Sequence, residues 1–132
     1  MQLKLLEHFS SGYSKEIKVN PVRPPRGPAA GDMLLVERPL LEASSGSEAG
    51  TLVLVGVYVR VDSGSPLLAW NASNKLPEGI INTQGAARLS EFASGVTFAI
   101  VGGTGKYKYT RGTVTAQTVD PDTNKLTYDV TP

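Results

Sequence analysis

The chain has 132 residues, 40% of them hydrophobic, and 13 basic against 12 acidic side chains, so it can bury one modest core and has no global field to gather nucleic acid or an anionic membrane. It contains no cysteine, which excludes disulfides, thiolate nucleophiles and thiolate metal sites and fits a reducing compartment. The opening Met1-Gln2-Leu3-Lys4-Leu5-Leu6-Glu7 meets a carboxylate too soon for a signal peptide, and no apolar run approaches a membrane span, so one cytoplasmic domain over residues 1–132 is expected.

Fourteen glycines and nine prolines cut the chain into short segments rich in β-branched residues, the pattern of a sandwich or barrel, with no long helical period. The first expected strands run from Gln2 to Phe9, carrying His8, and from Ser14 to Val19. Four prolines and two glycines in Asn20-Pro-Val-Arg-Pro-Pro-Arg-Gly-Pro-Ala-Ala-Gly31 rule out regular pairing there, which leaves either a lid or a plain connection. The strand from Met33 to Leu41 carries Glu37 in apolar surroundings: facing inward, its pKa would rise and suit acid–base work; facing outward, it would pair with Arg38 at the rim. A small polar stretch, 43–50, reads as a flexible hairpin connection.

The next strand, Leu52 to Val61, is apolar on both faces, as in a barrel wall covered outside by a partner subunit. One face presents Val53, Val55, Val57 and Val59, and the other Leu52, Leu54, Gly56, Tyr58 and Arg60, whose polar ends suit a ligand cavity. Further strands are expected from Pro66 to Ala72, Gly79 to Gly85, Val96 to Val101, Gly112 to Val119 and Lys125 to Val130. Closing these into one sheet removes the edge strands that a β protein must otherwise protect. Tyr58 and Trp70 are the better pocket candidates among the aromatics, each joining a large apolar face to a donor, whereas Phe98 and Tyr107 read first as core.

Several motifs fail on spacing. Gly102-Gly103-Thr104-Gly105-Lys106 lacks the P-loop's first glycine, since Ile100 stands there, and Tyr107 replaces the required Ser or Thr. Lys108 occupies the last glycine position of a dinucleotide fingerprint, so the run reads as a turn needing positive φ. Lys106-Tyr-Lys-Tyr-Thr-Arg111 interleaves cations and aromatics, but on a near-neutral chain this is too small a footprint for nucleic acid. His8 is the single histidine, which leaves no nitrogen or sulfur cluster for a metal and no triad around any serine; it reads as a structural or pocket residue.

Phe98-Ala-Ile-Val-Gly-Gly-Thr-Gly-Lys-Tyr107, followed by Arg111-Gly112, resembles the signature of the dirigent proteins and their allene oxide cyclase relatives. Gly31-Asp-Met-Leu-Leu-Val-Glu-Arg-Pro-Leu40 and Gly56-Val-Tyr58 resemble two upstream strands of the same family, with order and spacing agreeing over residues 31–119. The resemblance implies an all-β fold, a closed eight-stranded antiparallel barrel with an internal hydrophobic cavity. It also implies no cofactor and assembly, commonly into trimers; with no ligand cluster for a metal, the expectation is a metal-free homo-oligomer, a dimer or trimer. With no leader expected and no cysteines, the chain looks more similar to small microbial natural-product cyclases of this barrel type than to the plant members.

The expected function is a cofactor-independent cyclase that shapes a reactive or polyene intermediate, by a Diels–Alder-type or related cyclisation of a polyketide; a non-catalytic barrel binding a small apolar metabolite is the alternative. Holding a flexible chain in a near-attack fold can contribute about 7–11 kcal/mol, so little acid–base machinery is required. Tyr58 and Glu37 are the candidate catalytic residues, with Trp70, Arg60, Gln84, Tyr109, Phe98 and His8 as candidate substrate contacts.

Overall fold

The computed structural model describes residues 1–19, 27–61 and 64–131. It has nine strands: β1 (Gln2–His8), β2 (Tyr13–Ile17), β3 (Met33–Glu42), β4 (Glu48–Arg60), β5 (Leu67–Leu76), β6 (Gly79–Arg88), β7 (Val96–Gly103), β8 (Arg111–Asp120) and β9 (Thr123–Thr131). All pair antiparallel in the order β1-β9-β8-β7-β6-β5-β4-β3-β2, and a β1–β3 pairing closes eight of them into a barrel. Nine strands make an eight-stranded barrel because β1 and β2 share one edge of β3. Leu5 to Glu7 pair with Glu42 to Leu40, and Tyr13 to Ile17 then pair with Glu37 to Met33. The interruption between them, residues 9–12, includes Gly12 at φ +78, where a side chain would strike the Glu37 carbonyl.

Each expected strand forms, and the differences lie at the ends. β4 begins at Glu48 inside the stretch read as a flexible connection, because Gly50 can pair with Leu40 and lie flat against the Lys75 carbonyl. β5 continues to Leu76 through Asn71, Ser73 and Lys75, since a wall solvated on one face can alternate polar and apolar side chains. Asn20 to Arg26, most of the stretch expected as a lid or a connection, lie outside the described residues.

Strand alternation sorts the core. Even-numbered residues of β3, β4 and β5 face the interior, among them Val36, Leu40, Leu52, Tyr58, Leu68 and Trp70, all buried. Val53, Val55, Val57 and Val59 face outward with 37% to 54% exposure, so the doubly apolar β4 divides as its alternation requires. The barrel end where β5 turns into β6 is plugged by Leu40 and Ile81, both at 0% exposure, with Ile100, Tyr107 and Val130.

The glycine-rich run seals this same end. Gly103, at the end of β7, and Gly105, in the turn that follows, lie against the Ile80 and Glu78 carbonyls of the β5–β6 hairpin, and Gly105 has φ +60. Thr104 Oγ1 accepts from the Ile80 N–H at 3.2 Å, and Lys106 meets Glu78 at 2.7 Å. Two backbones pass here at a separation no side chain would permit, which is why this run marks the fold.

Candidate functional site

The open half of the barrel encloses a cavity of about 380 Å³, the scale of a pocket for one small molecule. Its position follows from the plug: Leu40 and Ile81 fill one end, while Phe9, Leu89 and Phe92 line the cavity toward the other. Most of the wall is aliphatic, with Leu34, Val36, Leu54, Leu68, Val114 and Leu126 turned inward.

One side is aromatic. The Trp70 indole sits 5.1 Å from the Phe98 ring in an edge-on arrangement and 5.8 Å from the Phe92 ring. Its cross-strand neighbours are both glycines, Gly56 on β4 and Gly85 on β6. A Cβ on Gly85 would lie 2.6 Å from the indole Cζ2, so the missing side chain is the space that the indole occupies.

The polar groups of the interior are few and mostly engaged with one another. Tyr128 donates to Asn74 Oδ1 at 2.6 Å, and Asn74 Nδ2 donates to the Ile81 carbonyl at 3.0 Å. Thr118 donates to Asn124 Oδ1 at 2.7 Å. Arg38 on β3 donates through Nη1 to Glu7 Oε2 on β1 at 2.7 Å, with the Phe9 ring centroid 5.3 Å from the guanidinium carbon. Burial raises the pKa of the Tyr58 phenol, with Glu16 adding to the effect. Tyr58 is therefore protonated at neutral pH and suited to donating a hydrogen bond, not to acting as a base.

Of the side chains singled out in the sequence, Tyr58, Trp70 and Phe98 line the cavity together. The others lie elsewhere. Glu37 is exposed on the outer face, because β3 turns 36, 38 and 40 inward, and Arg38 pairs with Glu7 inside the barrel instead. Arg60 is exposed beyond a register shift that follows Tyr58, so the β4 alternation does not carry it into the cavity. Gln84 is exposed, on the face opposite Thr83 and Gly85. Tyr109, at 75% exposure, lies outside the barrel with Lys108 Nζ 5.1 Å from its ring. His8 closes the β1 end through Nδ1, 2.8 Å from Thr123 Oγ1 and 3.7 Å from the Asp122 carboxylate, and it does not line the cavity.

Sequence reasoning missed Glu7, Arg38, Asn74 and Tyr128. The alternation used for β4 would have found the first two, since Glu7 shares a face with Leu3 and Leu5, and Arg38 with Leu34 and Val36. Among the described residues, no group of three or more His, Cys, Asp or Glu stands ready to hold a metal, and no helix is long and apolar enough to cross a membrane.

Residues 14–130 match the sequence model of the allene oxide cyclase barrel like domain. No curated protein is significantly similar to the chain in sequence. Among solved structures, a pyocyanin demethylase superposes with TM-score 0.80 at 22% identity, covering 99% of this chain and 100% of that one. The Diels Alderase AbmU from Streptomyces koyangensis gives 0.71 at 21% identity, over 99% of this chain and 65% of that one. The pterocarpan synthase dirigent protein PsPTS1 gives 0.70 at 19% identity, over 98% and 92%. At these identities the likeness is one of fold.

Proposed function

Since the chain belongs to the allene oxide cyclase barrel-like family, we propose that it is a cyclase that folds a flexible, largely apolar intermediate inside the barrel and closes a ring by a Diels–Alder-type or related reaction. The observation that carries this reading is the cavity itself: about 380 Å³, mostly aliphatic, with the Trp70, Phe98 and Phe92 cluster on one side. Such a wall presses an extended polyene into a compact shape, and the entropy lost on binding is then no longer part of the barrier to ring closure. Tyr58, kept protonated and lining the cavity, would donate to a carbonyl as charge builds on it. The names of two structural neighbours, a Diels Alderase and a dirigent protein, support a barrel that guides a reactive intermediate. A polyketide with a diene and an activated alkene is the substrate class proposed, with no cofactor required for the ring closure.

The test uses a linear polyene carrying both reacting groups. Loss of diene absorbance with and without protein gives the rate, and the fluorescence of Trp70, the single tryptophan, reports occupancy. Acceleration together with occupancy is expected. Occupancy with an unchanged rate would instead establish a barrel that binds an apolar metabolite without turnover.

The outward valines of β4 belong to the same proposal. An exposed apolar stripe of Val53, Val55, Val57 and Val59 suits burial against a second copy of the chain, in a dimer or trimer. Sedimentation should give a mass above 14.0 kDa that falls to the monomer in Val55→Lys, and a monomeric wild type overturns the point.

A further inference from the structure

The barrel interior contains one ion pair that the ring-closing reading does not itself require. Glu7 and Arg38 are the only charged residues among those described that line the cavity. Their side chains are 7% and 12% exposed, so both charges have been taken out of water. A buried pair is expected to satisfy its remaining hydrogen-bonding groups, because desolvation is otherwise uncompensated. This pair does not do so.

Among the described residues, the guanidinium makes one hydrogen bond, from Nη1 to Glu7 Oε2, and its buried Nε has no acceptor. The Phe9 ring lies over the guanidinium. Glu7 therefore takes one corner of the guanidinium and Phe9 covers a face; the Nε–H is too buried to meet a guest, and among the described residues Nη2 makes no hydrogen bond.

The geometry points to Arg38 as the polar anchor of the cavity, and to a guest that offers its guanidinium a neutral conjugated carbonyl in preference to a carboxylate. The charge balance decides between the two. At 2.7 Å, Glu7 already neutralises the guanidinium, and no second cation lines the cavity among the described residues. A carboxylate would bring an uncompensated negative charge beside Glu7 in a desolvated space, whereas a ketone or ester carbonyl accepts the open donors at no such cost. Arg38 is also suited to polarising that carbonyl, which would activate a conjugated alkene toward a diene. This part rests on the ring-closing reading; the binding preference does not.

Equilibrium dialysis tests it with three guests of one chain length: a conjugated dienone, the corresponding dienoate and the corresponding diene hydrocarbon. Wild-type protein should bind the dienone about tenfold to a hundredfold more tightly than the hydrocarbon, the range of a hydrogen bond to a charged donor, and the dienoate more weakly than the dienone. In Glu7→Gln the guanidinium loses its counter-charge, and the order should invert in favour of the dienoate. In Glu7→Gln/Arg38→Met the interior is neutral and the dienone should bind no better than the hydrocarbon. The double variant avoids the buried lone carboxylate that could unfold Arg38→Met, and circular dichroism confirms that each protein is folded.

Equal binding of dienone and hydrocarbon by the wild type, stronger binding of the dienoate, survival of the dienone preference in the double variant, or no binding of any guest overturns the inference. A dienone preference without acceleration of ring closure overturns the cyclase reading alone. Acceleration without a carbonyl preference overturns this inference alone.

Discussion

The Tyr128 phenol on β9 donates a 2.6 Å hydrogen bond to the side-chain carbonyl of Asn74 on β5, joining two strands 54 residues apart through the barrel interior. Both side chains are almost fully buried, and Asn74 also donates to the Ile81 carbonyl of β6. Removing the phenol oxygen leaves a buried acceptor without its donor. Tyr128→Phe should cost about 1–3 kcal/mol, read from urea unfolding as a lower midpoint with an unchanged slope. A variant as stable as the wild type would mean that the bond contributes nothing net.

The same tyrosine sets the alkaline limit. Burial holds the Tyr128 phenol far above the ordinary tyrosine value of 10.0, and the nearby Glu7 carboxylate pushes in the same direction. Tyr58 is raised as well, chiefly by burial. The unfolded chain releases these protons near pH 10 while the folded chain keeps them, so the folded state binds more protons above that pH and stability falls as pH rises. Each retained proton contributes a slope of up to about 1.4 kcal/mol per pH unit. Unfolding midpoints from pH 8 to 11 should be flat at first and then decline, less steeply in Tyr128→Phe. An identical decline in both proteins would remove Tyr128 as the cause.

Gly85 lends its space to Trp70. A methyl group there meets the indole Cζ2 at 2.6 Å and the Phe98 Cβ at 2.8 Å, contacts that only a moved ring can relieve. Gly85→Ala should cost about 1–3 kcal/mol and shift the Trp70 emission as the indole is displaced. The affinity for a cavity guest should change with it. Unaltered emission and affinity would show that the ring has room elsewhere.

Asp32, at 0% exposure, ties down both sides of the connection between β2 and β3. Its carboxylate accepts from the Val19 N–H and the Ala29 N–H, each at 2.9 Å, and the Lys18 ammonium stands 3.4 Å away. An amide cannot accept at both ends, so Asp32→Asn should destabilise the protein by about 1–3 kcal/mol. Hydrogen exchange should quicken at the Val19 and Ala29 amides while Tyr128 remains protected. Unchanged protection at both amides would show that they are held by something else.

Much of the barrel was legible in the amino-acid order, because short β-branched runs divided by glycine and proline can bury their apolar faces only as a closed or stacked sheet. The run from Phe98 to Tyr107 was legible for a related reason: its glycines stand where backbones touch, so their positions are set by the fold. Tyr58 and Trp70 could be assigned to an inner wall because each joins a large apolar face to a donor that needs a partner, whereas Phe98 read first as core.

The polar half of the site depended on information that alternation along one strand does not carry. Glu37 and Arg38 are neighbours in sequence, and which of them faces inward follows from the parity of β3, fixed by its pairing with β4 and β1. Arg60 left the inner face because the register shifts just after Tyr58. Glu7 meets Arg38 only because the sheet closes, bringing β1 back beside β3. Composition and pattern thus limited the chain to a closed or stacked sheet, and the resemblance carried by the run from Phe98 to Tyr107 made it a barrel. Only closure decided which charges were carried inside, since an ion pair between β1 and β3 exists only once the two ends of the sheet have met.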